Sequence, residues 1–444
     1  MGVGGRKYGM SKTSLGFFFL FALALFAFVA LMCGAAAGQS NFKVIHSFSG
    51  YPNDGMSPVS SVVFDKAGNM YGSTPGGGNQ TGCGDLGCGV VYELSPDGQG
   101  SWTETILYDF CHDFDGASCL DGAYPDNITM DAGGNLYGTT FSGGSGHVYG
   151  AGSGVAFELS PPKEQGGPWT ETVLYNFCSD FSDGSCLDGW VGFEPPVVLD
   201  AAGNLYGVAA LGGTGHVAGG EGLVFELSRS GDGWKETVLH NFCTQGEGDS
   251  CPDGYEPSGV AFDHHGDLYG TTAYSGNVNS FVGGTLFELV SSGGEWRYQP
   301  VANIPANFQP FQPEAPVTFD AVGNLYGTLS AVYGGVFRIN AKSRKLSLLS
   351  FNDSDGVGPN ALYIDSRRHA IYGTAVGGGA YQSGTLYSVN EGGHLSVLYN
   401  FCQLEECADG DGPSALAPDA VGDLFGAAEF GGTYGLGVIF QYAP

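Results

Sequence analysis

The sequence predicts an all-β chain, a seven-bladed β-propeller of four-stranded blades whose ring is closed by its own N-terminal strand. Composition, a motif recurring seven times, and an orphan strand near the N-terminus predict it. The 444 residues include 78 Gly, 30 Phe and 23 Tyr but only 14% charged residues. That composition describes many short strands joined by tight turns. No stretch after residue 40 sustains a helical apolar period.

The motif reads Asp65-Lys-Ala-Gly-Asn-Met-Tyr-Gly. It returns as Asp131-Ala-Gly-Gly-Asn-Leu-Tyr-Gly, Asp200-Ala-Ala-Gly-Asn-Leu-Tyr-Gly, Asp263-His-His-Gly-Asp-Leu-Tyr-Gly and Asp320-Ala-Val-Gly-Asn-Leu-Tyr-Gly. A degenerate copy starts at Asp365 and the last is Asp419-Ala-Val-Gly-Asp-Leu-Phe-Gly. Seven copies at a long period are the mark of a repeat architecture. Within the first unit an apolar run (59–64), the Gly-Asn turn, a short run (70–74), a glycine-rich loop, the alternating 90–94 segment and the 102–110 run follow in order. Four strands per unit is a propeller blade, and Gly-Asn supplies the positive φ that tight hairpins require.

The outermost strand recurs six times, ending at Phe110, Phe177, Phe242, Ile304, Phe351 and Phe401. The seventh unit stops after its third strand at Tyr442, while Phe42-Lys-Val-Ile-His-Ser-Phe48 matches the missing element. Pairing the two closes the ring and removes the exposed sheet edges of an open array.

Residues 1–38 carry Arg6, Lys7 and Lys12, an apolar run from Leu15 to Met32, and the small residues Gly34 to Gly38. This is the layout of a secretory signal peptide cleaved near Ala37 or Gly38; the rival reading is an uncleaved anchor, since the run is about as long as a minimal membrane span. The propeller occupies 42–444. Removing the signal leaves 12 Lys and Arg against 45 Asp and Glu, a net charge of −33. That excludes nucleic acid and an anionic membrane surface as partners, because both need clustered cations.

The repeat resembles the GloVer tandem-repeat proteins of bacteria, whose units centre on Gly-Asn-Leu-Tyr-Gly-Thr-Thr, matched best at Gly134 to Thr140 and Gly323 to Thr328. The resemblance spans about residues 42 to 444 and implies a secreted protein with no defining activity. Such proteins carry C-terminal anchoring signals, whereas this sequence reads Tyr442-Ala-Pro444 after its last strand, so release or periplasmic residence is expected.

Beside Cys33, ten cysteines form five local pairs: Cys83 with Cys88, Cys111 with Cys119, Cys178 with Cys186, Cys243 with Cys251, and Cys402 with Cys407. An even count in a secreted chain reads as disulfides, not zinc, and no Cys-x-x-Cys redox motif is present. Four pairs follow an outer strand and so staple one blade to the next. In a propeller these links and the loops joining second to third strands share one face. Function on loops held by a rigid scaffold is expected there.

The stapled loops are acidic, and Asp121, Asp188, Asp253 and Asp411 are candidate ligands for calcium, which favours clustered oxygen donors; no EF-hand spacing is present. The competing reading is that Asp-Gly marks a turn and the charges are solvated. Trp190, Tyr124, Phe193 and Tyr255 are candidate binding aromatics, suited to sugars or a protein hot spot, unless they merely pack the loops onto the rim. His147 and His216 occupy equivalent places in neighbouring units and are candidates for ligand binding or acid-base work. The function expected is a non-catalytic, secreted or periplasmic, monomeric binding or scaffolding module for a glycan or protein ligand, with calcium as a possible cofactor. The alternative is a secreted lyase or glycan hydrolase with its site on the same face.

Overall fold

A computed structural model of the chain describes residues 1–2, 41–146, 152–164, 166–182, 184–191, 196–215, 220–245, 250–277, 283–304, 313, 315–330 and 333–444. Of the signal peptide expected over 1–38, all but the first two residues lie outside the described residues. Residues Phe42–Pro444 form one compact unit of antiparallel sheets.

Seven sheets follow one another as blades I to VII. Blade I consists of Val63–Phe64, Met70–Thr74, Val90–Pro96 and Trp102–Asp109, hydrogen-bonded in that order. Blades II to VI repeat this order, ending on outer strands Thr170–Asn176, Gly233–Asn241, Glu295–Ile304, Leu346–Ser350 and Leu395–Asn400. Blade VII takes its inner three strands from the C-terminus and its outer strand, Phe42–Ser47, from the N-terminus. The closing register is Val44 opposite Phe440 and His46 opposite Ile439, with a bulge at Ile45. Blade I has the same irregularity, Ile106 opposite Tyr92 and Tyr108 opposite Val91. By register, therefore, His46 is the counterpart of Tyr108.

The recurring motif folds as a side-chain-held turn. Asp65 accepts the N–H groups of Ala67 and Asn69 at 2.8 and 2.9 Å and the Asn69 amide at 3.0 Å. The same bonds recur around Asp131, Asp200 and Asp320. A short aspartate bonding its own backbone is the usual way to fix such a turn. The glycine after the motif tyrosine has a packing reason. A Cβ on Gly72, Gly138, Gly207, Gly270, Gly327, Gly373 or Gly426 would overlap an aromatic ring of the third strand of its own blade.

The core runs around the ring between blades. At five junctions the phenylalanine ending the outer strand packs edge-on against the third-strand ring of the next blade: Phe48 on Tyr92, Phe110 on Phe157, Phe242 on Phe287, Phe351 on Tyr387 and Phe401 on Phe440, with centroids 4.8 to 5.3 Å apart. Phe177 meets Phe225 at 5.1 Å in a tilted pair. Trp102, Trp169 and Trp296 wedge the opposite end of the junctions, against Phe425, Tyr71 and Tyr206.

Candidate functional site

Five disulfides pair the cysteines as the spacing predicts, with Cα atoms 4.0 to 5.3 Å apart. Cys111, Cys178, Cys243 and Cys402 each take a left-handed backbone, φ 56 to 61°, turning the chain out of the outer strand. Strand alternation puts these links and the second-to-third-strand loops on one face, and the Asp-x-x-Gly-Asn turns on the other.

An aspartate closes each stapled link. Tyr108 donates its hydroxyl to Asp121 Oδ2 at 2.8 Å, and the N–H groups of His112 and Asp113 donate to the same carboxylate at 2.9 and 3.3 Å. Asp188 accepts from the Tyr175 hydroxyl at 2.8 Å, from Ser179 N–H and hydroxyl at 2.8 and 2.7 Å, and from Asp180 N–H at 3.2 Å. Both aspartates are buried. Their oxygens already hold the turn, so a cation would have to displace these donors. Asp253 differs: it is buried, neither carboxylate oxygen has a hydrogen-bond partner among the described residues, and His240 Nε2 stands 3.5 Å away.

Asp411, the fourth candidate calcium ligand, does not occupy the place that Asp121 and Asp188 hold in their links. The equivalent residue is Asp409, fully buried and accepting from the Tyr399 hydroxyl at 2.8 Å and from Gln403 and Leu404 N–H at 3.1 Å. The Cys402–Cys407 link is three residues shorter in sequence separation than the 8-residue links, which moves its aspartate back. Asp411 begins the inner strand Asp411–Pro413 opposite Phe430.

Tyr124, Trp190 and Tyr255, three of the expected binding aromatics, belong to three successive links. Tyr124 is half-buried, with its hydroxyl 3.4 Å from the Cys83 carbonyl. Tyr255 is 1% exposed and stacked on Tyr274 at 5.1 Å. Trp190 bridges to Leu211 through its backbone, and its buried indole Nε1 has no acceptor among the described residues. Phe193, His147 and His216 lie outside the described residues.

Two features were not singled out in the sequence. Glu171 and Glu236, on the outer strands of blades II and III, are half-buried beside Asp121 and Asp188 of the preceding links. Burial first, and then the neighbouring aspartate, pushes each carboxyl up to about 8. The second is a cavity of about 600 Å³ between blades V and VI, bordered by Tyr326, Leu348, Ile371, Val389 and Gly393. Gly393 falls at the position Trp102 occupies in blade I, so the wedge is missing there. The gap in the tryptophan series was its sequence signal.

Exposed apolar side chains are distributed unevenly between the faces. Of the large hydrophobics exposed on the propeller, Tyr51, Leu86, Phe114, Phe181, Leu211, Tyr333, Val376, Tyr381, Leu404, Phe430 and Tyr434 sit at the stapled end. Only Val322 and Val421 occupy the opposite face among the described residues.

Seven four-stranded blades with one disulfide-stapled, aromatic-studded face define a repeat-built β-propeller. Within that class the chain belongs to the Gloeobacter/Verrucomicrobia repeat family, whose model matches residues 35–250 and 329–444. No curated protein matches the chain in sequence. Among solved structures it is similar in fold to puromycin hydrolase, with a TM-score of 0.53 at 11% identity over 84% of this chain and 50% of that one. It is also similar to the extracellular domain of a B. thetaiotaomicron protein described as a hybrid two component system, at TM-score 0.51 and 9% identity over 91% of this chain and 40% of that one. The chain thus spans half or less of these relatives' lengths, and at such identities the likeness is one of fold.

Proposed function

We propose that the chain is an extracytoplasmic, non-catalytic binding propeller that recognises a glycan through its stapled face. The observation carrying this reading is the concentration of exposed aromatics, Tyr51, Phe114, Phe181, Tyr333, Tyr381, Phe430 and Tyr434, on that face. Single scattered apolar residues need no explanation, but a biased set around one end of a rigid ring marks an interaction surface. Aromatic rings beside carboxylates offer an apolar platform with hydrogen-bond acceptors for hydroxyls. The aromatics are spread over the I, II, V, VI and VII sectors, which fits recognition of an extended ligand better than chemistry at one centre.

Disulfides need an oxidising compartment, which supports secretion or periplasmic residence. A calcium requirement would engage loop carboxylates other than Asp121 and Asp188, whose oxygens are taken. The test is glycan-array binding of residues 39–444 after metal stripping, with and without added calcium. Binding to a restricted glycan set supports the reading, and calcium dependence would add the cofactor. No binding in either arm sinks it and transfers the face to a protein partner.

A further inference from the structure

At three blade junctions an outer-strand residue, the aspartate of the following link and a glutamate from the next blade's outer strand meet. At two of them the first residue is tyrosine, Tyr108 or Tyr175, and its hydroxyl reaches the aspartate at 2.8 Å. At the junction where the ring closes, the same position is His46. There Nε2 stands 3.7 Å from Asp54 Oδ2 and 3.6 Å from Glu104 Oε1. The three ligand atoms lie within 4.8 Å of one another. Both His46 Nε2 and Glu104 Oε1 are buried atoms with no hydrogen-bond partner among the described residues. Glu171 Oε1 and Glu236 Oε1 at the tyrosine junctions are likewise buried without a partner among the described residues, so what distinguishes the closing junction is the imidazole nitrogen that faces both carboxylates.

We propose that His46, Asp54 and Glu104 bind a zinc-class divalent cation that staples the N-terminal closing strand to blade I. One imidazole and two carboxylates are borderline donors suited to zinc and its first-row neighbours, and unlike the all-oxygen set calcium prefers. A tetrahedral zinc with bonds of about 2.0–2.2 Å needs donor atoms roughly 3.3–3.6 Å apart, close to the spacings here. Asp54 Oδ2 accepts the Ser49 N–H at 2.6 Å and the Ser49 hydroxyl at 2.9 Å, and Oδ1 accepts the Gly55 N–H at 2.6 Å. Such outer bonds orient a ligating carboxylate. The tyrosine hydroxyl that completes the shells of Asp121 and Asp188 is replaced here by His46 Nε2 at 3.7 Å, so a cation would displace no tyrosine. Three protein donors leave a fourth position for water.

The other junctions serve as internal controls. Where tyrosine replaces histidine, its hydroxyl fills the space and bonds the aspartate directly. At the third-to-fourth blade junction His240 and Asp253 are retained, but Tyr298 stands where the glutamate would be and stacks on the imidazole at 4.3 Å. Only the closing junction, among the described residues, combines histidine with both carboxylates. Its ligands come from the closing strand, the loop after it and blade I, so an ion there ties the chain's N-terminus into the ring.

The test uses the chain stripped with chelator under non-reducing conditions, with zinc chloride as the only added ligand, followed by calorimetry and elemental analysis. The wild type is expected to take up one zinc at this site, and its unfolding midpoint should rise with zinc and fall back with chelator. Glu104→Gln should weaken that uptake ~100-fold or more. His46→Tyr installs the Tyr108 arrangement and keeps the fold, which circular dichroism checks. It should lose the zinc, and its midpoint should become indifferent to zinc and chelator. Failure of the wild type to bind zinc, or equal uptake and equal stabilisation in a folded His46→Tyr protein, would overturn the assignment.

Discussion

Tyr108 hydrogen-bonds Asp121 at 2.8 Å across the first stapled link, and by this contact the outer strand of one blade fixes the loop that starts the next. The bond is one of a series with Tyr175 to Asp188 and Tyr399 to Asp409. Each pair places a buried carboxylate under the loop face, so loss of the hydroxyl leaves an acceptor short of a donor.

Tyr108→Phe should therefore destabilise the propeller by about 1–3 kcal/mol, the cost of an unmade bond to a buried charged group. Urea denaturation of the variant against the parent measures it. A change within error would mean the aspartate is held by backbone donors alone.

Glu171 and Glu236, pushed up to about 8, make stability depend on pH with a defined sign. Between the ordinary glutamate range near pH 4.5 and pH 8, the folded state holds protons that the unfolded chain has released. The slope of unfolding free energy with pH is negative wherever the folded state binds more protons. The contribution of these two groups is thus intact below about pH 4.5 and is lost as pH rises through 8. The melting temperature should fall from pH 5 to pH 9, and Glu171→Gln with Glu236→Gln should flatten that fall.

In the inner strands, Gly138→Ala should cost about 1–3 kcal/mol by overpacking against the Phe157 ring. Gly133→Ala, in the turn, makes no such overlap with a ring and should be nearly neutral. Equal losses at the two positions, measured by thermal unfolding, would contradict the packing account of the repeated glycine.

Removing the Cys178–Cys186 bond by paired serine substitution should destabilise by about 2–3 kcal/mol, as expected for a short closed loop. The blade arrangement should persist, because Phe177 still packs on Phe225 at 5.1 Å. Far-ultraviolet circular dichroism with denaturant titration separates the two effects.

The blade count and the closure were legible because each repeat carries its own turn chemistry: Asp65 bonding Ala67 and Asn69 is a local event, readable without neighbours. The cysteine pairs were legible for the same reason. What lay beyond reach was assembled across blades. Glu171 is an ordinary strand residue until Asp121 of the preceding link approaches it. His46 acquires its meaning only from the bulged register that aligns it with Tyr108. The Cys-x-Asp-Gly spacing shared by Cys119, Cys186, Cys251 and Cys407 marks Asp409 as the counterpart of Asp121, and Asp411 lies two residues beyond it. Tyr255 reads as a loop aromatic, yet its stacking on Tyr274 buries it.

The central claim is that ligand recognition belongs to the stapled face, and a comparison of two surface variants tests it most directly. One carries Tyr51→Ser, Tyr381→Ser and Tyr434→Ser at the stapled end; the other carries Val322→Ser and Val421→Ser on the opposite face, all at exposed positions. Binding of both to the best glycan ligand of the parent should be measured by calorimetry. Loss of at least about tenfold in affinity, or roughly 1.4 kcal/mol, in the first alone is the predicted result. Parent-like binding by the first variant, or loss in the second alone, would contradict the account.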